Sequence, residues 1–229
     1  MWVPQVVRQP RRMKMKVRLP MIASLGVVLA TFGFSAYEYP LLPEIVPIHW
    51  NALGKPDGYG SKNTLLWMMP GILIVLYLLM LALPKLSPKK FEIDTFRTVY
   101  DDIVLVVMTL MAFIHYITVM AAINPKLDFL RLMIMGMCVF FALLGNLMGK
   151  VRRNFYVGIR TPWTLASTRV WDATHRIGAK FIVGSSIAAI LLTLVGVNVW
   201  VGFSIAMAGL LWPVVLSFLL YKKWETTDL

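Results

Sequence analysis

GNLMGKVRRNFYVGIRTPWTLASTRVWDATHRIGAK, residues 145–180, lies between two long apolar runs. It holds seven of the 23 basic residues: Lys150, Arg152, Arg153, Arg160, Arg169, Arg176 and Lys180. It also holds two of the eight Trp, Trp163 and Trp171, and one of the three His, His175. A basic loop between apolar runs is what a membrane chain leaves on the cytoplasmic side. The side on which this loop falls therefore sets the course of every other segment.

The composition agrees. The chain has 229 residues, 59% hydrophobic and 15% charged, with a mean hydropathy of +0.71. Soluble domains carry roughly 45–50% apolar and about 25% charged residues. The excess has no core of sufficient size to enter, so the solvent is lipid. The net charge of +12 would suggest nucleic acid on a soluble protein. Its placement assigns it to topology instead, and no direct nucleic-acid contact is expected. The single Cys138 lies in an apolar run and reads as a small hydrophobe.

Working outward, the chain reads as six spans: about 19–37, 65–83, 101–123, 131–149, 180–196 and 199–221. At 1.5 Å per residue these cross roughly 30 Å of hydrocarbon. The first run is too long for a signal-peptide core. Pro20 falls in its first turn, where the missing N–H costs nothing. With the N-terminus inside, 19 Lys and Arg fall inside and four outside: Lys55, Lys62, Lys126 and Arg131. That asymmetry predicts an all-α six-helix membrane bundle with cytoplasmic N- and C-termini. Residues 1–18 read as a basic cytoplasmic extension, 19–221 as the membrane domain and 222–229 as a cytoplasmic tail.

The outer loop, 38–64, reads EYPLLPEIVPIHWNALGKPDGYGSKNT. Glu44–Trp50 is β-branched and Pro-bearing, which predicts extended chain or an edge strand. Lys55-Pro56-Asp57-Gly58 has the signature of a turn. The loop is expected to be a small ordered lid. Its polar cluster of His49, Asn51, Asp57 and Tyr59 with Trp50 reads as turn chemistry and an interfacial anchor, or as a recognition surface. His49 and Asp57 have no third ligand at helical or turn spacing, so no metal is expected.

In span 3, Asp101 and Asp102 are expected at the cytoplasmic edge beside Arg97, and His115 in the outer half as a neutral, hydrogen-bonded ring. In the inner loop, 150–179, Gly158 and Pro162 predict a shaped turn. Ser167 is a candidate N-cap for a short amphipathic helix over 168–177, lying in the interface and ended by Gly178. Asp172 and Arg176 are spaced for an i, i+4 pair. Arg160, with five donors, suits a lipid phosphate or a partner carboxylate. No nucleophile pairs with His175, and His49 and Asp57 lie across the bilayer from it, so no catalytic residue or cofactor is expected.

Two blocks carry a family resemblance. LPEIVPIHWNALGKPDGYGSK resembles the extracytoplasmic signature of the SdpI family, and NFYVGIRTPWTLASTRVWDATHRIGAK resembles its cytoplasmic signature. The resemblance implies a six-span bacterial inner-membrane immunity protein that protects against an externally acting peptide, the sporulation-delaying-protein toxin. It also implies a relay that holds a transcriptional repressor at the membrane. Pro47, His49, Trp50, Asn51, Asp57, Gly58 and Tyr59 would then face the toxin. Asn154, Gly158, Arg160, Thr161, Pro162, Trp163, Thr164, Trp171, His175, Arg176 and Gly178 would form the cytoplasmic partner or interface motif. The other reading of such a chain is a small polytopic transporter or exporter, with His115 and Asn146 as its only polar groups near the midplane.

Overall fold

The computed structural model describes residues 18–87 and 93–225. The basic extension before Arg18, Lys89, Lys90 and residues 226–229 lie outside the described residues. The elements are α1 (Leu19–Glu38), β1 (Ile45–Trp50), β2 (Pro56–Ser61), α2 (Lys62–Leu86), α3 (Arg97–Ile123), α4 (Phe129–Met148), α5 (Pro162–Ala166), α6 (Thr168–Leu194) and α7 (Val199–Glu225). Six of the helices are long and apolar enough to cross a membrane. This is a multi-pass membrane protein.

The helices group as two units. α1 and α2 pack on α3, and α6 packs on both α4 and α7. The units meet along a seam between α3 and α4. Within the second unit, small residues permit the closest helix pair. Gly202, Ala206, Gly209, Pro213 and Ser217 are the buried residues of α7. Gly209 sits so close to Ser185 of α6 that any Cβ would collide with its side chain. Without a hydrophobic drive between helices in lipid, this kind of backbone approach is what holds them together.

The two ends of the bundle differ. At one end the chain between α1 and α2 forms an antiparallel β-hairpin. At the other, basic end, the α4–α6 connection, the start of α3 and the end of α7 come together.

Three expectations are corrected. The turn is not at Lys55–Gly58: Pro56–Ser61 is strand, and the reversal lies at 51–55. Asn51 Oδ1 accepts from the N–H groups of Leu53 and Lys55 (2.9 and 3.1 Å), and Gly54 takes a positive φ of 72°. Asn51 thus outcompetes the Pro-Asp-Gly signature, and Pro56 begins the strand, opposite Trp50. Residues 168–177 are not a separate interfacial helix but the first turns of α6, which runs unbroken through Gly178. Gly178 serves close packing, because a Cβ there would lie 2.8 Å from Cβ and Cγ of Pro213. Asp172 pairs not with Arg176 but with Arg152, at 4.0 Å. Ser167 is the N-cap, accepting from Val170 N–H, as its sequence position suggests.

Candidate functional site

At the hairpin end, Val46 is fully buried against Leu65, Val119 and Leu42. Trp50, at the end of β1, stacks on Phe129 of α4 with ring centroids 3.8 Å apart and planes 9° apart. The hairpin belongs to the first unit by sequence and is fastened to the second by this stack. Lys62 at the start of α2 closes its base with an ion pair to Glu44 (2.7 Å).

Trp50 walls two recesses. One, of about 360 Å³, is lined by Ile48, His49, Asn51, Thr118, Met133 and Trp200 among others. The other, of about 280 Å³, includes Pro43, Pro47, Tyr59, Ala121 and Leu127. Tyr59 is exposed and pairs with Pro47 across the hairpin. His49 Nδ1 lies 2.5 Å from Asp57 Oδ1, with both side chains open to solvent. Gly58 opposes His49, and a Cβ there would stand 2.8 Å from His49 Cβ. The hairpin therefore collects all seven candidates, with Trp50 as anchor and His49, Asp57 and Tyr59 outward. Among the described residues no cluster of three His, Cys, Asp or Glu forms a metal site. Trp50→Ala should loosen the hairpin by about 1–2 kcal/mol, since aromatic stacking adds to lost burial. Hydrogen exchange over 45–61 should then rise while the helices keep their protection.

At the basic end the motif residues bond mainly to one another. Asn154, fully buried, donates through Nδ2 to Arg152 O and Val157 O and accepts through Oδ1 from Tyr156 and Val157 N–H, at 2.7–2.9 Å. It replaces four backbone partners that a helix or sheet would supply. Trp171, also fully buried, donates Nε1–H to Val151 O at 2.8 Å. His175 stacks on Trp171 at 4.1 Å. His175 Nε2 accepts from the Ile159 N–H (2.9 Å), so Nδ1 carries the proton and donates to Trp171 O (2.8 Å). His175 is thus buried, and neither nitrogen is free for acid–base work or a metal.

Gly158 has φ +118°, and a Cβ there would lie 2.5 Å from His175 Nε2 and 3.2 Å from the Trp171 ring. Thr161 and Thr164 form a reciprocal capping box at the start of α5, with Pro162 in its first turn. Thr161 Oγ1 is also 2.9 Å from Ser217 Oγ of α7. Trp163 packs on Phe218 of α7. The loop places Tyr156 and Val157 against the core of the first unit, whose buried residues include Ile93, Tyr100 and Met108. Tyr156 also donates its hydroxyl to Leu86 O at the end of α2. The block is therefore a clasp between the two units. Arg160, which donates to Phe155 O, stays at the surface with Pro162 and Arg176.

Residues 150–218, the clasp and most of α6–α7, match the SdpI/YfhL protein family. Residues 26–74, from α1 through the hairpin into α2, match a domain of unknown function, DUF1648. The chain is therefore similar to the SdpI/YfhL family over its last two long helices and the loop before them. It is also 26% identical over 162 residues to the immunity protein SdpI of Bacillus subtilis (strain 168), covering 71% of this chain and 75% of that protein. No solved structure matches it. The SdpI/YfhL region begins at Lys150, where the clasp begins, so both blocks quoted for the resemblance lie inside matched ranges.

Several structural partners carry no sequence signal. Arg18 binds Asp101 through two hydrogen bonds of 2.7 and 2.5 Å, while Arg97 Nε stands 3.5 Å off. These hydrogen bonds raise the Arg18 pKa above its ordinary value. Val151, Ser217 and Phe129 are equally silent in the sequence, since a carbonyl, a hydroxyl and a ring in apolar runs have no diagnostic spacing. His115 is buried with Nε2 2.6 Å from Ser35 Oγ, the hydrogen-bonded state expected of it.

Proposed function

We propose that this protein is an immunity and sensor protein of the bacterial cytoplasmic membrane. It meets an externally arriving peptide toxin at the hairpin and relays the encounter through the bundle to a cytoplasmic repressor. The observation that carries this reading is that the hairpin and the clasp each bridge the two units, at opposite ends of the bundle. A ligand that binds differently to two arrangements of the units at one end biases the other end. The basic end, with its Lys and Arg excess, would face the cytoplasm. Arg160, Pro162 and Arg176 are its exposed motif residues, available to a partner.

The test is survival of a sensitive host expressing this chain and challenged with the family's toxin peptide. The wild-type chain should protect. The double substitution His49→Ala/Tyr59→Ala, at exposed positions, should abolish protection at unchanged membrane levels. Arg160→Ala/Arg176→Ala should preserve protection and abolish repressor recruitment to membranes. A wild-type chain that is abundant in the membrane and gives no protection would overturn the reading for that toxin.

A further inference from the structure

The hairpin is a two-stranded sheet, so each strand keeps one edge without a ladder partner. The register fixes which backbone groups those edges present. Lys62 N–H donates to Glu44 O (3.0 Å), one step beyond the pair Ile45–Ser61. Hydrogen-bonded and non-hydrogen-bonded pairs alternate along an antiparallel ladder. Ile45–Ser61 and Pro47–Tyr59 are therefore non-hydrogen-bonded pairs, and their backbone groups point away from the partner strand. The proline at 47 agrees, since it has no N–H to give to the ladder.

The two edges are not alike. β1 lies against α3, and Pro47 removes one of its outward donors. On β2, Tyr59 presents an N–H and a carbonyl, and Ser61 presents an N–H. Neither N–H has a backbone partner outside the hairpin among the described residues. Asp57, Tyr59 and Ser61 are exposed. Natural sheets blunt an open edge with proline, charge or a bulge. From Gly58 to Ser61, β2 carries no proline and no charge. Gly58 and Gly60 flank Tyr59, so one face of the strand is bare backbone. On the other face Tyr59 adjoins the recess of about 280 Å³, whose walls include Pro43, Ile45, Pro47, Ala121 and Leu127. Such an edge selects by backbone. An extended chain offers donors and acceptors at the spacing of Tyr59 and Ser61, whereas a helix has spent its own internally.

We propose that β2 takes an extended peptide segment of the toxin as a third strand. The segment's backbone bonds to Tyr59 and Ser61, and one of its apolar side chains enters the recess beside Tyr59. The proposal rests on the reading of the hairpin as the place where the toxin is met, and gives that encounter its form.

The test removes one edge donor and leaves the hairpin intact. Ser61 has φ −72°, which proline adopts without strain, and Gly60 before it is already in a strand. Ser61→Pro thus deletes an outward N–H and spares the ladder. Ser61→Ala keeps the N–H and deletes a hydroxyl that makes no cap bond to α2. Both full-length variants and the wild type, in phosphatidylcholine nanodiscs, would be titrated with the sporulation-delaying-protein toxin peptide, with empty nanodiscs as the blank. Ser61→Ala should bind as the wild type does. Ser61→Pro should bind at least about fivefold more weakly, the worth of one net hydrogen bond. Amide exchange of the wild type, read by NMR, carries the claim should Ser61→Pro fail to fold: the Tyr59 and Ser61 amides, open in the free protein, should become protected in the complex. Equal binding by all three chains, or Tyr59 and Ser61 amides that stay open in the complex, would overturn the strand pairing and leave the toxin reading standing. No binding by the wild type above the blank would overturn both. Amides already protected without peptide would mean that a second copy's β2 fills the edge, and would overturn the proposal too.

Discussion

Replacing Gly158 with alanine should destabilise the protein by about 3–5 kcal/mol, through two separable costs. A side chain at φ +118° is strained wherever it occurs, by about 1–3 kcal/mol. The new methyl would also stand 2.5 Å from His175 Nε2 and 3.2 Å from the Trp171 ring, an overpacking cost of another 1–3 kcal/mol or so. The neighbours have little room to yield. Trp171 is fixed by its bond to Val151 O, and His175 is fixed at both nitrogens. A double substitution separates the costs. His175→Ala removes the collision and leaves the backbone strain, so the pair should be about 1–2 kcal/mol less destabilised than the sum of the singles. Chemical or thermal unfolding in detergent, followed by Trp fluorescence, would measure each. Strict additivity would mean that His175 does not pack on Gly158.

The six spans were legible because hydropathy and charge asymmetry both act over twenty or more residues. The hairpin strand at Glu44–Trp50 was legible from its β-branched run. Local rules failed where two of them competed. Asn51 and Pro-Asp-Gly both signal a turn, and only the side-chain bonds of Asn51 to Leu53 and Lys55 decide between them. Gly178 ends helices in isolation, yet here lipid packing of α6 on Pro213 outweighs its low propensity. The motif residues were found by resemblance. Their roles needed geometry, because a histidine that accepts from a backbone N–H has the same sequence appearance as one poised for chemistry. The ion pair across 83 residues, Arg18 to Asp101, has no local signature at all.

That ion pair makes the second large effect. Asp101→Ala should cost about 2–4 kcal/mol, because breaking a buried pair strands its partners without compensation. Asp101 has 4% of its side chain exposed, and two guanidinium groups converge on it. Arg97 also has Asp94 at 2.7 Å, whereas Asp101 is the acid found for Arg18 among the described residues. The estimate lies below the full cost of a sealed pair because the Arg18 side chain is 33% exposed and would regain water. Asp102, next in sequence and only partly buried, is the control: Asp102→Ala should fall within about 0.5 kcal/mol of wild type. Adding Arg18→Ala to Asp101→Ala should recover part of the loss by removing a stranded charge. Arg18 precedes α1 and Asp101 sits in the first turns of α3, so the bond ties these two helices where they enter the membrane. Unfolding of these three variants beside the wild type would separate a structural tie from a surface contact. If Asp101→Ala matches Asp102→Ala, the tie carries no stability and the packing of α1 on α3 stands without it.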